Sequence, residues 1–236
     1  MSNKLMKKAG LIGGVSWHST VELYRLVNEY VATELGGLNS AEIVITSVNL
    51  QRIIGAQTSE EKANVLAEAA INLQKAGADF IALGSNGLHQ FEQQFMKNID
   101  IPFLHIADCV AQAITERGVS AVGLLGVQET MRDDFYISHL SERGIQTIIP
   151  TADECDFIDR VLYEETGKGV VNPSSVTQFY SISEKLMEKG ADGIILGCTE
   201  IGMLMQQDNT TIPLFDSTEI YAQAIARACL DTNPKL

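Results

Sequence analysis

The sequence has no CxxC pair, no Cys/His cluster at zinc-ligand spacing, no basic run and no apolar stretch of membrane-spanning length. Each absence removes a class of protein. Without ligand spacing, the four cysteines Cys109, Cys155, Cys198 and Cys229 read as free thiols of a reducing compartment, and no metal site is expected. Without a basic cluster, and with a net charge of −13, nucleic acid and anionic membranes are poor partners. Neither GxGxxG nor GxxxxGK[ST] occurs, so Gly13-Gly14 gives only a weak nucleotide-binding signal. Low-complexity tracts are missing too, and 45% of the 236 residues are hydrophobic, which points to one large domain or two small lobes. Met1 to Gly10 carries Lys4, Lys7 and Lys8 ahead of the short run Leu11–Val15. A secretion signal needs a longer apolar region, so this reads as a tail and a first strand, and a cytoplasmic location is expected.

What the chain does have is an internal repeat. Lys75–Phe91 reads KAGADFIALGSNGLHQF and Lys189–Leu204 reads KGADGIILGCTEIGML. Both run from a helix end through glycine, Ala-Asp and an apolar strand to a glycine and a small nucleophile-type residue. Gly84 and Gly197 lie 113 residues apart, as do Gly10-Leu11-Ile12-Gly13 and Gly123-Leu124-Leu125-Gly126; Ile101-Pro102-Phe103 and Ile212-Pro213-Leu214 lie 111 apart. Two copies are too few for a solenoid and read as two similar lobes, 1–104 and 105–216.

Within each copy, strand-length apolar runs (Glu42–Val48, Phe80–Leu83, Val122–Leu125, Gly193–Leu196) alternate with helical patterns. One helix starts at Thr58, with Glu61 three residues on in a capping-box pattern; it places Leu66, Ala69, Ala70 and Leu73 on one face and ends at Gly77. Another starts at Asn172 with Pro173 at its first position and ends at Gly190. The expected fold is α/β: two pseudo-symmetric lobes, each a mainly parallel sheet flanked by helices.

Ligands of such sheets sit beyond the carboxyl ends of the strands. Cys198 stands there, in Leu196-Gly197-Cys198-Thr199-Glu200. A helix start would lower its pKa below about 8.5 and make it a nucleophile or general base; the plain alternative is a buried structural cysteine. The other three cysteines fall in helical patterns and are assigned to packing. Ser85, in Gly84-Ser85-Asn86-Gly87, is the mirror position, either a catalytic contact or a helix cap. A pseudo-two-fold axis between the lobes would face Ser85 and Cys198 across one cleft. Asn86, Gly87, Thr199, Ser16 and Thr130 are candidate substrate contacts, with turn-making and capping as the alternative for each. A small dianion approaching this acidic chain needs a local cation, for which Arg52 and Lys168 are best placed; either could equally be a solvated surface charge. Glu200 could accept a substrate ammonium or simply favour a helix N-terminus. His89 and His105 read as structural, and His18 and His139 as helix-surface residues.

Four segments together resemble the aspartate/glutamate racemase superfamily: Gly10-Leu-Ile-Gly-Gly-Val-Ser-Trp-His-Ser-Thr20, Ser85-Asn-Gly-Leu-His89, Pro102-Phe-Leu-His-Ile-Ala-Asp108 and Leu196-Gly-Cys-Thr-Glu-Ile201. The combination is closest to the aspartate racemase branch, including broad or glutamate-accepting members. The resemblance implies a racemase of aspartate or glutamate that needs neither pyridoxal phosphate nor metal. It also implies a cleft between the lobes, a C-terminal segment 217–236 returning to lobe 1, and a homodimer. In that family two thiols serve opposite faces of the substrate. Cys198 matches the second thiol, and Arg52 and Lys168 resemble carboxylate contacts. Ser85 stands where the first thiol is expected, which predicts unequal handling of the two enantiomers. Two further readings remain: a single-cysteine decarboxylase or isomerase of a small diacid on the same fold, and a non-catalytic two-lobed binder.

Overall fold

A computed structural model describes residues 6–132 and 134–231. Described residues up to His105, together with those from Tyr221 onward, form one compact unit, and Ile106–Ile220 form the other. Of the segment 217–236, Ser217–Ile220 therefore group with the second unit, and 232–236 lie outside the described residues, as does Lys4.

The first unit runs β1 (Ala9–Gly13), α1 (Trp17–Leu35), β2 (Ile43–Ser47), α2 (Leu50–Ile54), α3 (Ser59–Lys75), β3 (Phe80–Leu83), a 3-10 turn Gly87–Phe91 and α4 (Glu92–Phe95). Its strands are all parallel, in the order β2-β1-β3. The central strand β1 is buried at every position, whereas the edge strand β2 is half open. The Thr58 hydroxyl caps α3 by accepting from the Glu61 N–H at 3.1 Å, and Leu66, Ala69, Ala70 and Leu73 are buried along one face against the sheet. The Glu61 carboxylate takes the Gln57 N–H instead of closing a box on Thr58.

The second unit runs α5 (Ile106–Glu116), β4 (Ala121–Leu125), α6 (Gln128–Arg132), α7 (Asp134–Glu142), β5 (Gln146–Ile148), α8 (Ala152–Glu164), a 3-10 turn Thr166–Lys168, α9 (Pro173–Glu188), β6 (Ile194–Leu196), 3-10 turns Thr199–Met203 and Gln207–Asn209, and β7 (Leu214–Asp216). The parallel order is β5-β4-β6-β7. Pro173 opens α9, where its missing N–H costs nothing. Helix α10 (Ser217–Leu230) follows; from Tyr221 on it belongs to the first unit, where the Tyr221 hydroxyl donates to the Leu104 carbonyl at 2.6 Å and accepts from the Leu83 N–H at 3.1 Å.

The repeat is visible in hydrogen bonds. Gly84 N–H donates to the Ile12 carbonyl at 2.9 Å, and Gly197 N–H to the Leu125 carbonyl at 2.7 Å. Ile81 N–H donates to the Pro102 carbonyl and Ile194 N–H to the Pro213 carbonyl, both at 2.8 Å. Phe103 bridges in parallel to Ile81 where Leu214 pairs with Ile194, so the first unit holds the stub of the strand that the second unit completes as β7.

Candidate active site

In the second unit the candidate centre is the turn that leaves β6. Gly197 sits so close to the Leu125 carbonyl and the Thr130 methyl that an added Cβ would approach them to 2.8 and 3.1 Å. That contact seats the turn on β4 and α6. Cys198 is extended (φ −149°, ψ 137°), and the chain then tightens into the 3-10 turn Thr199–Met203. This geometry brings the Cys198 Sγ to 2.9 Å from the Glu200 Oε2, with the thiol donating.

The thiol is the opposite of the activated group the sequence suggests. Burial pushes its pKa well above the ordinary thiol range, and Glu200 pushes it further by charge and by accepting its hydrogen bond. The backbone N–H groups of Glu200 and Thr199 pull the other way without prevailing. The expected lowering fails because the segment after Cys198 is a five-residue 3-10 turn, not a long helix with a developed dipole, and because a carboxylate occupies the nearest position. The resting group is a protonated thiol.

Around this turn stand Thr130, Lys168 and Tyr163. Thr130 lies in α6, fully buried, and its Oγ1 has no hydrogen-bond partner among the described residues. A buried hydroxyl left unpaired carries a free-energy penalty that a bound polar group would relieve. Lys168 ends the 3-10 turn Thr166–Lys168, which packs against the Cys198 turn; it is exposed, and no carboxylate among the described residues pairs with it. Tyr163 on α8 is 60% exposed, yet its phenol is pushed up to about 12, first by desolvation and then by the charges of Glu129, Asp159, Cys198 and Glu200. The sequence offered no signal for Tyr163.

Asp216 at the end of β7 was also missed. Its Oδ1 accepts from the N–H groups of Thr218 at 2.8 Å and Glu219 at 3.3 Å, which caps α10. Its Oδ2 lies against Gly202, 3.2 Å from where a Cβ would stand. Burial raises this carboxyl to about 6. The third repeat block held the clue, since Asp216 follows Leu214-Phe215 as His105 follows Phe103-Leu104.

In the first unit Ser85 leaves β3 in the same way, with Asn86 and Gly87 beginning the 3-10 turn. Ser85, Asn86 and Gly87 are partly buried. The His89 Nδ1 lies 2.6 Å from the Ser85 carbonyl, and the His89 and His105 rings meet edge to face at 4.8 Å. Both histidines are buried, as the structural reading requires. Ser16 caps α1, its Oγ accepting from the Ser19 N–H at 3.3 Å. Arg52 lies on α2, half exposed, with its guanidinium 2.7 Å from Glu68, so its charge is already answered locally. His18 is exposed, but His139 departs from the surface reading: its Nδ1 lies 2.9 Å from the Asp108 carboxylate. Cys155 and Cys229 are buried and Cys109 partly so, each within a helix.

A family model for Asp/Glu/hydantoin racemases matches residues 12–225. The fold is close to that of a candidate Asp/Glu racemase from Yersinia pestis, 38% identical, covering 96% of this chain and 100% of that one at a TM-score of 0.91. It is also close to an aspartate racemase homologue from Pyrococcus horikoshii OT3, 32% identical, covering 96% and 100% at a TM-score of 0.87. A broad specificity amino-acid racemase from Bacillus subtilis (strain 168) is 24% identical over 168 residues, 70% of this chain and 71% of that protein.

Proposed function

From the premise that this chain belongs to the Asp/Glu/hydantoin racemase family and is an amino-acid racemase, we propose that it racemises acidic amino acids without pyridoxal phosphate or metal. In this reading Cys198 moves the α-proton on one face of the substrate and Ser85 serves the opposite face. The observation that supports it is the matched placement of the two residues. Each follows the glycine that comes directly after a strand paired in parallel with the first strand of its own unit's sheet, and each lies just ahead of a 3-10 turn, Cys198 as its cap and Ser85 one residue before the cap Asn86.

Substrate recognition is part of the proposal. Lys168 reads a carboxylate, Arg52 contributes less because Glu68 already holds it, and the Thr130 hydroxyl finds its partner in the bound amino acid. Thr199, Asn86, Gly87 and Ser16 complete the contacts through backbone N–H groups and short polar side chains.

The functional species we infer is a cytoplasmic homodimer. Trp17, Val21 and Tyr24 support it: they are 64%, 58% and 47% exposed and follow helical spacing along one side of α1. Among the described residues no helix is long and apolar enough to cross a membrane. Sedimentation of wild type against Trp17→Glu tests the dimer.

The activity is tested by α-proton exchange in deuterated water with a panel of L- and D-amino acids. Exchange at Cα of aspartate or glutamate, resistant to chelator and to carbonyl reagents, is the expected result. Exchange confined to uncharged amino acids would overturn the acidic preference, and activity lost to a chelator and restored by metal would overturn the metal-free chemistry.

A further inference from the structure

Strand β2 leaves its outer edge bare. It is the outermost strand of its sheet. The Ala9 N–H donates to the Glu42 carbonyl at 2.9 Å and the Val48 N–H to the Gly13 carbonyl at 2.8 Å, so the even-numbered residues of this stretch bond to β1. By alternation, Ile43, Ile45 and Ser47 aim their N–H and C=O groups away from the sheet. Ile45 and Ser47 are exposed. Edge strands are ordinarily guarded by charge, proline or a bulge. The strand Ile-Val-Ile-Thr-Ser has no charge and no proline, and its register with β1 is unbroken.

The helix beside this edge is bare on the same side. Asn28 continues the α1 stripe of Trp17, Val21 and Tyr24, and its Oδ1 accepts the Ala41 N–H at 3.0 Å, just ahead of β2. On the opposite flank of α1, the Tyr30 hydroxyl accepts from Arg227 of α10 at 3.3 Å, and α10 is tied to β3 through Tyr221. The exposed stripe therefore overhangs the β2 edge, not the β3 side. Leu38, in the loop leading into β2, is fully exposed, and Leu50 and Ile54 of α2 are exposed past the strand's other end.

Resting on the homodimer reading above, we propose that β2 of one copy pairs antiparallel with β2 of a second copy about a two-fold axis at Ile45. The two three-stranded sheets become one, and the two α1 stripes meet over the seam.

The edge is complementary to itself. Centring on Ile45 makes Ile45–Ile45 and Ile43–Ser47 hydrogen-bonded pairs, which satisfies the outward groups of the strand. The antiparallel sense sets Glu42 opposite Val48 of the second copy. The two Glu42 residues then stand about 20 Å apart along the strands instead of side by side. In a chain of net charge −13, an uncharged seam is also where two copies repel least. The helices fit as well. A Cβ added at Gly13 would meet Thr20 of α1 at 2.5 Å and Ile45 at 3.3 Å, so α1 rides over the β1–β2 pair. Across the seam the two helices lie two strand spacings apart, roughly 10 Å, which is a helix-packing distance. A foreign strand would pair with the edge but leave the stripe uncovered. A second copy covers the stripe and carries its Leu38 toward Leu50 and Ile54.

Sedimentation and oxidative cross-linking of the full chain test the pairing. Wild type should sediment as a dimer. Ile45→Pro removes an outward N–H and leaves β1 its bonds, so it should halve the sedimenting mass without loss of ellipticity. Ile45→Cys should give a covalent dimer under mild oxidation, because Cα atoms of a hydrogen-bonded pair, about 5.5 Å apart, lie within disulfide reach. Glu42→Cys, and wild type with its own cysteines, should not. A monomeric wild type overturns the pairing together with the homodimer reading. A dimer that Ile45→Pro leaves intact, that Ile45→Cys fails to cross-link, or that Glu42→Cys cross-links as readily overturns the strand pairing alone. Should Ile45→Pro fail to fold, cross-linking decides.

Discussion

The turn Gly84–His89 and the turn Gly197–Gly202 are the same piece of backbone built twice, with different chemistry. Each leaves a buried strand through a glycine, and each becomes a 3-10 turn. One presents the Ser85 hydroxyl on a residue whose backbone carbonyl meets His89, which in turn packs edge to face on His105. The other presents a thiol backed by two carboxylates, Glu200 directly and Asp216 behind Gly202. A duplicated fold keeps strand register because every core side chain depends on it. The turn side chains are under no such constraint, so the two halves can diverge in acid–base strength while the scaffold stays put.

The largest effect should come from removing the stronger group. Cys198→Ala is expected to lower α-proton exchange by about 10² to 10⁴-fold, with the fold intact because the change removes a single sulfur atom from an extended position that alanine also adopts. Circular dichroism alongside exchange in deuterated water checks both halves of that statement. Activity within a few-fold of wild type would mean that the two turns do not differ in the way proposed.

Ser85→Cys should be next in size, since it makes the two turns alike. Wild type is expected to exchange one enantiomer fast and the other slowly, because a thiol ionises far more readily than an aliphatic hydroxyl. A thiol at position 85 should raise the slow rate by about 10²-fold, the lower end of what a positioned base contributes. Equal exchange of both enantiomers by wild type, or an asymmetry unmoved by the substitution, would remove Ser85 from the substrate.

Charge gives a smaller contrast. Lys168 has no carboxylate partner among the described residues, whereas Arg52 is held by Glu68 at 2.7 Å. Lys168→Ala should raise KM for aspartate about tenfold, the lower end of what a hydrogen bond to a charged group contributes. Arg52→Ala should raise it less, because the residue leaves Glu68 unpaired as much as it deprives the substrate. Alanine and aspartate measured side by side decide the matter: equal KM changes for both would show that neither cation reads the side-chain carboxylate.

The fold was legible in the sequence because its signals are redundant. Strand burial, the Thr58 cap, Pro173 at a helix start and three blocks at nearly one spacing all point to the same architecture. The candidate site was legible in position but not in protonation state. Spacing places Cys198 at a strand end, yet only three-dimensional packing shows that Glu200 folds back onto the sulfur and that burial outweighs the two N–H groups. Tyr163 was invisible because it reaches the turn from α8, with nothing in its local sequence to distinguish it. Arg52 looked like a cation available for substrate because Glu68, sixteen residues away, meets it only once α2 and α3 have packed.

The smallest effect concerns the second line of the comparison, Asp216 in one unit and His105 in the other. Asp216 is held at about 6, above the ordinary carboxyl value of 3.8, and burial is the chief cause. A carboxyl whose folded-state pKa is raised stabilises the fold while it is protonated, fully so below its unfolded pKa, and that contribution is lost as pH rises through 6. The charged form is tolerated at neutral pH because the N–H groups of Thr218 and Glu219 hold it as the cap of α10. Asparagine caps a helix about as well as aspartate and carries no charge to bury. Asp216→Asn should therefore raise the melting temperature by a few degrees at pH 7.5, and the gain should disappear near pH 4, where wild-type Asp216 is itself neutral. His105→Asn, at the equivalent place in the first unit, removes a ring that packs edge to face on His89 and should lower the melting temperature at neutral pH. Thermal melts of the three proteins at the two pH values would separate the positions. A pH-independent difference between wild type and Asp216→Asn would show that the carboxyl acts as a cap alone, and that burial does not set its charge state.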